Sequence, residues 1–157
     1  MNWKKWKPYI ISAGIALLVG GLSSLLSMKG MEVYNESVLK PLLTPPGWIF
    51  AVVWSILYVL MGISAAIVWL SNESTSRNRG LNLYVFQLIV NFFWSLLFFN
   101  AQAYGLSLLW LIFLLVLVVW MSWEFYKVKP VAGYLQIPYI IWLIFAAYLN
   151  FAVWQMN

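Results

Sequence analysis

Five long apolar stretches, separated by short polar segments, dominate the pattern along the chain. They cover approximately residues 9–28, 47–70, 81–101, 105–126 and 132–154. A bilayer core of about 30 Å is crossed by roughly 20 apolar helical residues, and a helix satisfies its own backbone hydrogen bonds inside lipid. The pattern therefore predicts an all-α membrane protein in which residues 1–157 form one domain, a bundle of five transmembrane helices.

The connections between these stretches contain turn-forming residues. SNESTSRNRG at 71–80 is a polar loop, NAQAYG at 100–105 a tight turn and KVKPVAG at 127–133 a short basic link. The longest connection, 29–46, carries apolar residues and ends in two prolines. We expect it to fold against the helix ends as a lid over a pocket inside the membrane.

The positive charges are distributed unequally between the two ends of the predicted bundle. Seven of the nine basic residues fall on the side of the N-terminus, and the remaining two, Lys29 and Lys40, fall on the other. The positive-inside rule then predicts a multi-pass protein of the cell membrane with a cytoplasmic N-terminus and an external C-terminus. The first stretch has spanning length and lacks an Ala-x-Ala cleavage site, so we expect a retained helix rather than a signal peptide.

Composition narrows the function. Apolar residues make up 64% of the chain and charged residues 8%, far below the roughly 25% of a soluble domain. The net charge of +5 lies beside apolar runs, so we expect the lipid bilayer, and no nucleic acid, as partner. The sequence has no histidine and no cysteine, so we expect no metal site, no disulfide and no resident cofactor. No ionisable residue lies in the middle of a span, which argues against an ion-coupled pump or a small multidrug transporter.

Tryptophan is abundant, with 11 residues in the chain. Most of them, Trp48 included, lie near predicted helix ends, where indoles anchor proteins to the membrane interface. Trp54, Trp94 and Trp142 lie well inside their spans. Helix directions place these three in one band, from mid-membrane to the half that faces segment 29–46. This arrangement suits a flat aromatic ligand held between helices.

Polar residues fall in the same band. Gln87, Asn91 and Ser95 recur at intervals of four and share one helix face. They indicate either ligand contacts or hydrogen bonds between helices, and the sequence leaves both open for Gln87 and Asn91. Pro138 is expected to bend the fifth span just before Trp142.

Small residues at Ala16, Gly20 and Ser24 repeat at intervals of four on the first helix. Such a pattern supports close helix packing, either between two chains or within one.

Three sequence blocks carry a resemblance to a known family. They are KPLLTPPGWIFAVVWSILYVLMG at 40–62, QLIVNFFWSLLFF at 87–99 and PYIIWLIFAAYLNFAVW at 138–154. In order and spacing they resemble the TspO family of tryptophan-rich sensory proteins, whose animal members are the mitochondrial translocator protein or peripheral benzodiazepine receptor. The blocks and the five spans cover nearly the whole chain.

The resemblance implies a five-helix bundle with a pocket beneath the first loop. It also implies binding of protoporphyrin IX, of related tetrapyrroles and of isoquinoline carboxamides, and light- and oxygen-dependent porphyrin breakdown with Trp54 and Trp142 as the catalytic residues. We further expect a homodimer. The band and the resemblance together give these ligand-binding residues: Tyr34, Lys40, Pro45, Trp48, Trp54, Tyr58, Gln87, Asn91, Trp94, Trp142, Ala146 and Asn150.

Alternatives remain at this stage. The chain could be a non-catalytic porphyrin sensor, scavenger or transport factor. Lys40 could contact porphyrin propionates or be an ordinary interfacial lysine. Phe151 and Gln155 stand where animal members carry the Tyr and Arg of a cholesterol-recognition segment, so a sterol is not expected at the end of the fifth span.

Overall fold

The structure is a computed structural model that describes residues 2–157, and within them it contains helices and no strand. The helices are α1 Trp3–Leu26, α2 Met28–Ser37, α3 Gly47–Trp69, α4 Thr75–Ser95, α5 Tyr104–Val128, α6 Pro130–Tyr134 and α7 Ile137–Met156. A π-helical turn, Leu96–Asn100, extends α4 without a break. Five of these units are long and apolar enough to cross a membrane, namely α1, α3, α4 with its π-turn, α5, and α6 with α7. The all-α, five-span prediction is confirmed.

Two of the five spans begin more than one helical turn before their apolar stretches. α1 starts at Trp3 and α4 at Thr75, so polar residues form the first turns of both helices. At α4, the Ser74 hydroxyl accepts a hydrogen bond from the Arg77 amide at 3.1 Å and caps the helix. Hydropathy marks only the part of a helix that lies in hydrocarbon, and the helices continue beyond it.

The fifth span is divided in two. α6 ends at Tyr134, and Pro138 lies in the first turn of α7, where the missing N–H has no helical partner to lose. The expected bend within one continuous helix is therefore a break between two helices. Segment 29–46 also differs from a plain loop, because its first part belongs to α2, while its second part, 38–46, has no helix.

Close packing joins α1 to α3. A Cβ placed on Gly62 would overlap the backbone of Ala13, and one on Gly20 would overlap the ring of Tyr58. Ala16, between these two contacts, is completely buried. The small residues of α1 thus include two, Ala16 and Gly20, that serve packing within one chain.

Interhelical hydrogen bonds tie the remaining helices together. The Ser23 hydroxyl of α1 donates to the Phe92 carbonyl at 2.8 Å, and the Trp110 indole of α5 donates to the Val90 carbonyl at 2.7 Å. The Ser64 hydroxyl of α3 donates to the Ala132 carbonyl of α6 at 2.6 Å. These bonds keep polar groups from facing lipid unpaired.

One ionic cluster lies at the end of the bundle that carries both the N-terminus and the 71–74 connection. Glu124 is 2% exposed, and its carboxylate lies 3.3 Å from an Arg79 nitrogen and 3.0 Å from the Lys127 ammonium. Two cations around one buried carboxylate avoid an uncompensated charge. The cluster fastens α4 to α5 at this end and leaves the opposite end to the cavity.

Candidate functional site: an aromatic cavity beneath segment 38–46

A cavity of about 690 Å³ lies at the end of the bundle that carries α2 and segment 38–46. Residues of α1, α2, α3, α4 with its π-turn, α7 and segment 38–46 line it. Nine residues that the sequence analysis selected are among them: Tyr34, Lys40, Pro45, Trp54, Tyr58, Asn91, Trp94, Ala146 and Asn150. The structure thus brings together residues that are more than 110 positions apart in the chain.

A chain of buried hydrogen bonds leads from the cavity wall into the interior of the bundle. The Tyr58 hydroxyl donates to Asn91 Oδ1 at 2.8 Å, and Asn91 Nδ2 donates to the Tyr139 hydroxyl at 2.6 Å. The Tyr139 hydroxyl in turn donates to Gln87 Oε1 at 2.8 Å. Asn91 therefore both lines the cavity and links helices, whereas Gln87, which is fully buried, is occupied with bonds between helices.

Trp94 is held in place by a second polar cluster. Its indole N–H donates to Asn150 Oδ1 at 3.2 Å, and the same oxygen accepts the Ser107 hydroxyl at 3.1 Å. Asn150 Nδ2 donates to the Tyr104 carbonyl at 2.8 Å. Because its N–H is already paired, Trp94 can offer a ligand the face of its ring. Phe98 stacks with the Trp94 ring, with 5.3 Å between the ring centroids.

Trp54 presents a large aromatic surface on the α3 side. Its ring lies 5.6 Å from that of Tyr58 and 6.1 Å from that of Tyr139, measured between centroids. These contacts fix the orientation of the indole through packing. Trp54 and Trp94 therefore supply flat walls contributed by two different helices.

Trp142, the second indole predicted to be catalytic, lies behind Phe50. The two rings meet edge to face at 5.5 Å, and Phe50 is the member of the pair that lines the cavity. Trp142 Nε1 is buried and finds no hydrogen-bond partner among the described residues. An unpaired buried N–H is unfavourable, so this atom is suited to receive an acceptor from elsewhere.

Segment 38–46 and α2 bring polar groups to the mouth of the cavity. The Lys40 ammonium lies 5.0 Å from the Tyr34 ring centre and donates to the Asn35 carbonyl at 2.9 Å. Tyr34 packs against Phe98 and Phe99, at 5.4 and 5.3 Å between centroids. Burial, with a smaller contribution from Tyr104, raises the pKa of the Tyr34 hydroxyl from 10.0 to about 12, so it stays protonated at neutral pH.

The segment is also fastened to the far end of α7. Asn157 Oδ1 accepts the Leu39 amide at 3.1 Å, and Asn157 Nδ2 donates to the Leu39 carbonyl at 3.0 Å. One side-chain amide thus pairs with both polar groups of a single backbone residue. This pairing bridges 118 positions of sequence and holds segment 38–46 across the bundle.

Two further residues selected from sequence lie elsewhere. Trp48 is 68% exposed at the start of α3, where an interfacial indole belongs. Gln87 lies one turn below Asn91 in the buried chain of hydrogen bonds. Sequence reasoning also missed lining residues: Phe50, Phe98 and Phe99. Phe98 and Phe99 belong to the π-turn, which no feature of the sequence predicted.

The lining determines which ligands the cavity suits. Seven aromatic residues line it together with small and apolar residues, and Lys40 supplies positive charge at its mouth. Among the described residues no group of three or more His, Cys, Asp or Glu side chains could hold a metal ion. The cavity is therefore suited to a flat, largely apolar molecule that carries an anionic group at one edge.

Comparison with known proteins gives a consistent result. Residues 12–155 match the model of the TspO/MBR family. The chain is 36% identical to the Tryptophan-rich protein TspO of Chlorobaculum tepidum over 92% of each chain. It is 38% identical to Protein CrtK of Rhodobacter capsulatus over 79% of this chain and 78% of that one. It is also 35% identical to the Translocator protein of Sus scrofa, over 96% of this chain and 92% of that protein.

Proposed function

This chain belongs to the TspO/MBR family of membrane proteins, and from that premise we propose that its cavity binds a tetrapyrrole, protoporphyrin IX in the first instance. The observation that carries the proposal is the cavity of about 690 Å³ with indole walls from Trp54 and Trp94 and a cation, Lys40, at its mouth. Cavities of roughly 300–1,000 Å³ are typical of small-molecule sites. Isoquinoline carboxamides, which are flat and aromatic, suit the same walls.

The contacts of the porphyrin follow from the chemistry of the lining. The macrocycle lies between the faces of Trp54 and Trp94, where stacking contributes about 0.5–1.5 kcal/mol per aromatic pair. Lys40 pairs with a propionate and gives up its bond to the Asn35 carbonyl. Segment 38–46 covers the occupied cavity as a lid, held by Asn157.

A second proposal concerns chemistry on the bound porphyrin. Illuminated porphyrin passes energy or an electron to molecular oxygen, and the activated oxygen then adds to the macrocycle, so porphyrin and oxygen are both consumed. The protein contributes position, and of the two indoles expected to be catalytic, Trp54 is the one on the cavity wall, in contact with the ring. Trp142 takes part only after Phe50 moves, because Phe50 separates it from the cavity.

The separation of Trp142 from the cavity favours the alternative function, porphyrin binding without chemistry. A sensor, scavenger or transport factor needs the walls and Lys40 but has no use for the half-buried Trp142 indole. The two functions differ in the fate of the porphyrin under light.

We test binding by adding protoporphyrin IX to purified protein in the dark and following tryptophan fluorescence. The native protein is expected to show saturable quenching. Trp54→Phe is expected to weaken affinity by roughly two- to tenfold, the equivalent of one lost stacking contact. Trp123→Phe is the matched control, because Trp123 is 58% exposed near the opposite end of the bundle. Unsaturable quenching, or equal effects of both substitutions, contradicts the proposal.

The same samples under light then separate the two functions. Loss of the porphyrin absorbance bands that slows in Trp54→Phe and in the Trp54→Phe/Trp142→Phe double variant supports degradation in the cavity. An intact porphyrin leaves a binding protein. Equal loss with and without both indoles shows that the photochemistry does not use them.

Orientation and assembly are proposals of the same kind. The seven-to-two distribution of basic residues supports a cytoplasmic N-terminus in the cell membrane, with the cavity near the external face. We also propose a homodimer. Its interface lies away from Ala16 and Gly20, which are engaged within one chain.

A further inference from the structure

α1 and α3 pack tightly over part of their length and then leave a gap. Contacts at Ala13–Gly62 and Gly20–Tyr58 close the seam between the two helices. A Cβ placed on Gly21, the next residue along α1, would meet no heavy atom within 4 Å among the described residues outside the neighbouring backbone of α1. No side chain of α3 reaches the Cβ position of Gly21.

Gly21 lies at the border between the cavity and the outside of the bundle. It lines the cavity, yet its helical neighbours Leu18 and Leu25, three residues before and four after, are 65% and 64% exposed. Ser24 lines the cavity on the same helix and is exposed. The α1 edge of the gap thus contains a glycine and a serine, with Leu17, 39% exposed, one turn before Gly21.

The α3 edge has the same character. Ala51 and Ser55 line the cavity and are exposed, and their neighbours Val52 and Ile56 face outward. The Ser55 hydroxyl donates to the Ala51 carbonyl at 2.7 Å, so its polar atom is paired within the helix. Both edges therefore include small side chains. On the α3 edge, the Ser55 hydroxyl is already paired, so it does not face lipid as an unpaired polar group.

The depth of the gap places it in hydrocarbon. Gly21 lies five residues before the end of α1, and Ser55 eight residues after the start of α3, which correspond to about 8 and 12 Å along the helices. Both positions fall inside the apolar spans. The gap opens toward acyl chains rather than toward water.

We propose that the gap framed by Gly21, Ser24, Ala51 and Ser55 is a lateral port through which the cavity takes its ligand directly from the bilayer. The proposal rests on the proposed tetrapyrrole function and adds its substrate class, flat amphiphiles already dissolved in membrane. A planar apolar ring concentrates in lipid. On the aqueous side, the Leu39–Asn157 pair fastens segment 38–46 to the end of α7. At the port, the Ser55 hydroxyl is bonded within its own helix and not across the gap.

The test is a comparison of Gly21→Phe with Gly14→Phe. Gly14 also has open space at its Cβ position, and it lies on nearly the same helix face two turns away, at a residue that does not line the cavity. Both variants add the same ring toward lipid, and only Gly21→Phe narrows the gap. The readout is the rate of tryptophan quenching after rapid mixing of protein in nanodiscs with vesicles that carry protoporphyrin IX.

Gly21→Phe is expected to slow binding and release at least about tenfold, an added barrier of about 1.4 kcal/mol, with the dissociation constant unchanged. Ser55→Leu, on the opposite edge, is expected to act in the same direction. Gly14→Phe is expected to exchange porphyrin at the native rate. The port is contradicted if the Gly21→Phe and Ser55→Leu variants exchange porphyrin at the native rate. It is also contradicted if Gly14→Phe slows porphyrin exchange as much as they do.

A second arm blocks the aqueous route. The sequence has no cysteine, so Leu39→Cys and Asn157→Cys can be joined selectively by a short bifunctional thiol reagent. Continued porphyrin exchange in the cross-linked protein supports the port. Loss of exchange overturns the port, but the tetrapyrrole function still stands if the native protein binds porphyrin in the dark. Absence of saturable binding in the native protein overturns the tetrapyrrole function itself, and the port with it.

Discussion

At the scale of single residues, polar side chains in this bundle bond to one another and to the backbone of neighbouring helices. Asn150 was selected from sequence as a ligand contact, and the structure places it at the cavity with both amide atoms engaged. Its oxygen holds the Trp94 indole, and its nitrogen holds the Tyr104 carbonyl. These bonds indicate that Asn150 holds Trp94 in position on the cavity wall.

We expect Asn150→Leu to lower the free energy of unfolding by about 1–3 kcal/mol, because it leaves the Trp94 N–H without a partner and removes one of the two side-chain bonds to the Tyr104 carbonyl. A double-mutant cycle with Trp94→Phe isolates the indole bond, and coupling of roughly 0.6–1.7 kcal/mol is expected for a hydrogen bond inside a membrane protein. Reversible unfolding in detergent micelles measures both. Zero coupling would mean that the Trp94–Asn150 bond adds nothing to stability.

Sequence reasoning reached part of the residue scale. Intervals of four on one helix placed Gln87, Asn91 and Ser95 on one face, because the helical period is local information. The residues that pair with this helix face could not be predicted from the sequence. Tyr139 pairs with Gln87 and Asn91 from 48 or more positions away, and only the arrangement of α4 and α7 in the folded bundle brings it there. Phe50, which separates Trp142 from the cavity, was missed for the same reason.

At the scale of elements, hydropathy found every spanning helix and missed the shorter features. α2 mixes lysine, glutamates, asparagine and serine with a few apolar residues, so it has no apolar stretch to mark it. The π-turn at Leu96–Asn100 lies within a continuous apolar run, where composition is the same for α and π geometry. Both features line the cavity, so its mouth was the least predictable part of the site.

The α1–α3 seam supplies an element-scale prediction. Gly62→Ala is expected to cost about 1–3 kcal/mol of unfolding free energy, since the added methyl group meets the Ala13 backbone and the helices must separate. Gly14→Ala is the matched control, because its Cβ points into open space, and it is expected to be neutral or to stabilise the helix by up to about 1 kcal/mol. The measurement that checks this prediction is the unfolding midpoint of each variant in the same detergent. Equal midpoints would show that the seam is not tightly packed.

At the scale of the whole molecule, charge and cavity lie at opposite ends. The Arg79–Glu124–Lys127 cluster marks one end, and α2, segment 38–46 and the cavity mark the other. Composition and spacing predicted this polarity, because apolar length and charge location are properties of sequence. The size of the cavity was not predictable, since it depends on how far α1 and α3 separate beyond Gly20 and Tyr58.

The polarity leads to a prediction about orientation. Because seven of nine basic residues lie on the side of the N-terminus, we expect the 71–74 connection in the cytoplasm and α2 outside. Glu36 in α2 and Asn72 in the connection are both exposed, and the sequence has no cysteine, so Glu36→Cys and Asn72→Cys each create a unique thiol. Intact cells are treated with a membrane-impermeant maleimide. Glu36→Cys is expected to react at once, and Asn72→Cys only after permeabilisation.

The reverse labelling pattern would place the cavity mouth at the cytoplasmic face, and a ligand would then reach segment 38–46 from inside the cell. It would leave the lateral port untouched, because the gap at Gly21 and Ser55 opens to hydrocarbon in either orientation. Orientation therefore decides only which leaflet supplies the ligand, the outer one if the seven-to-two charge distribution governs insertion.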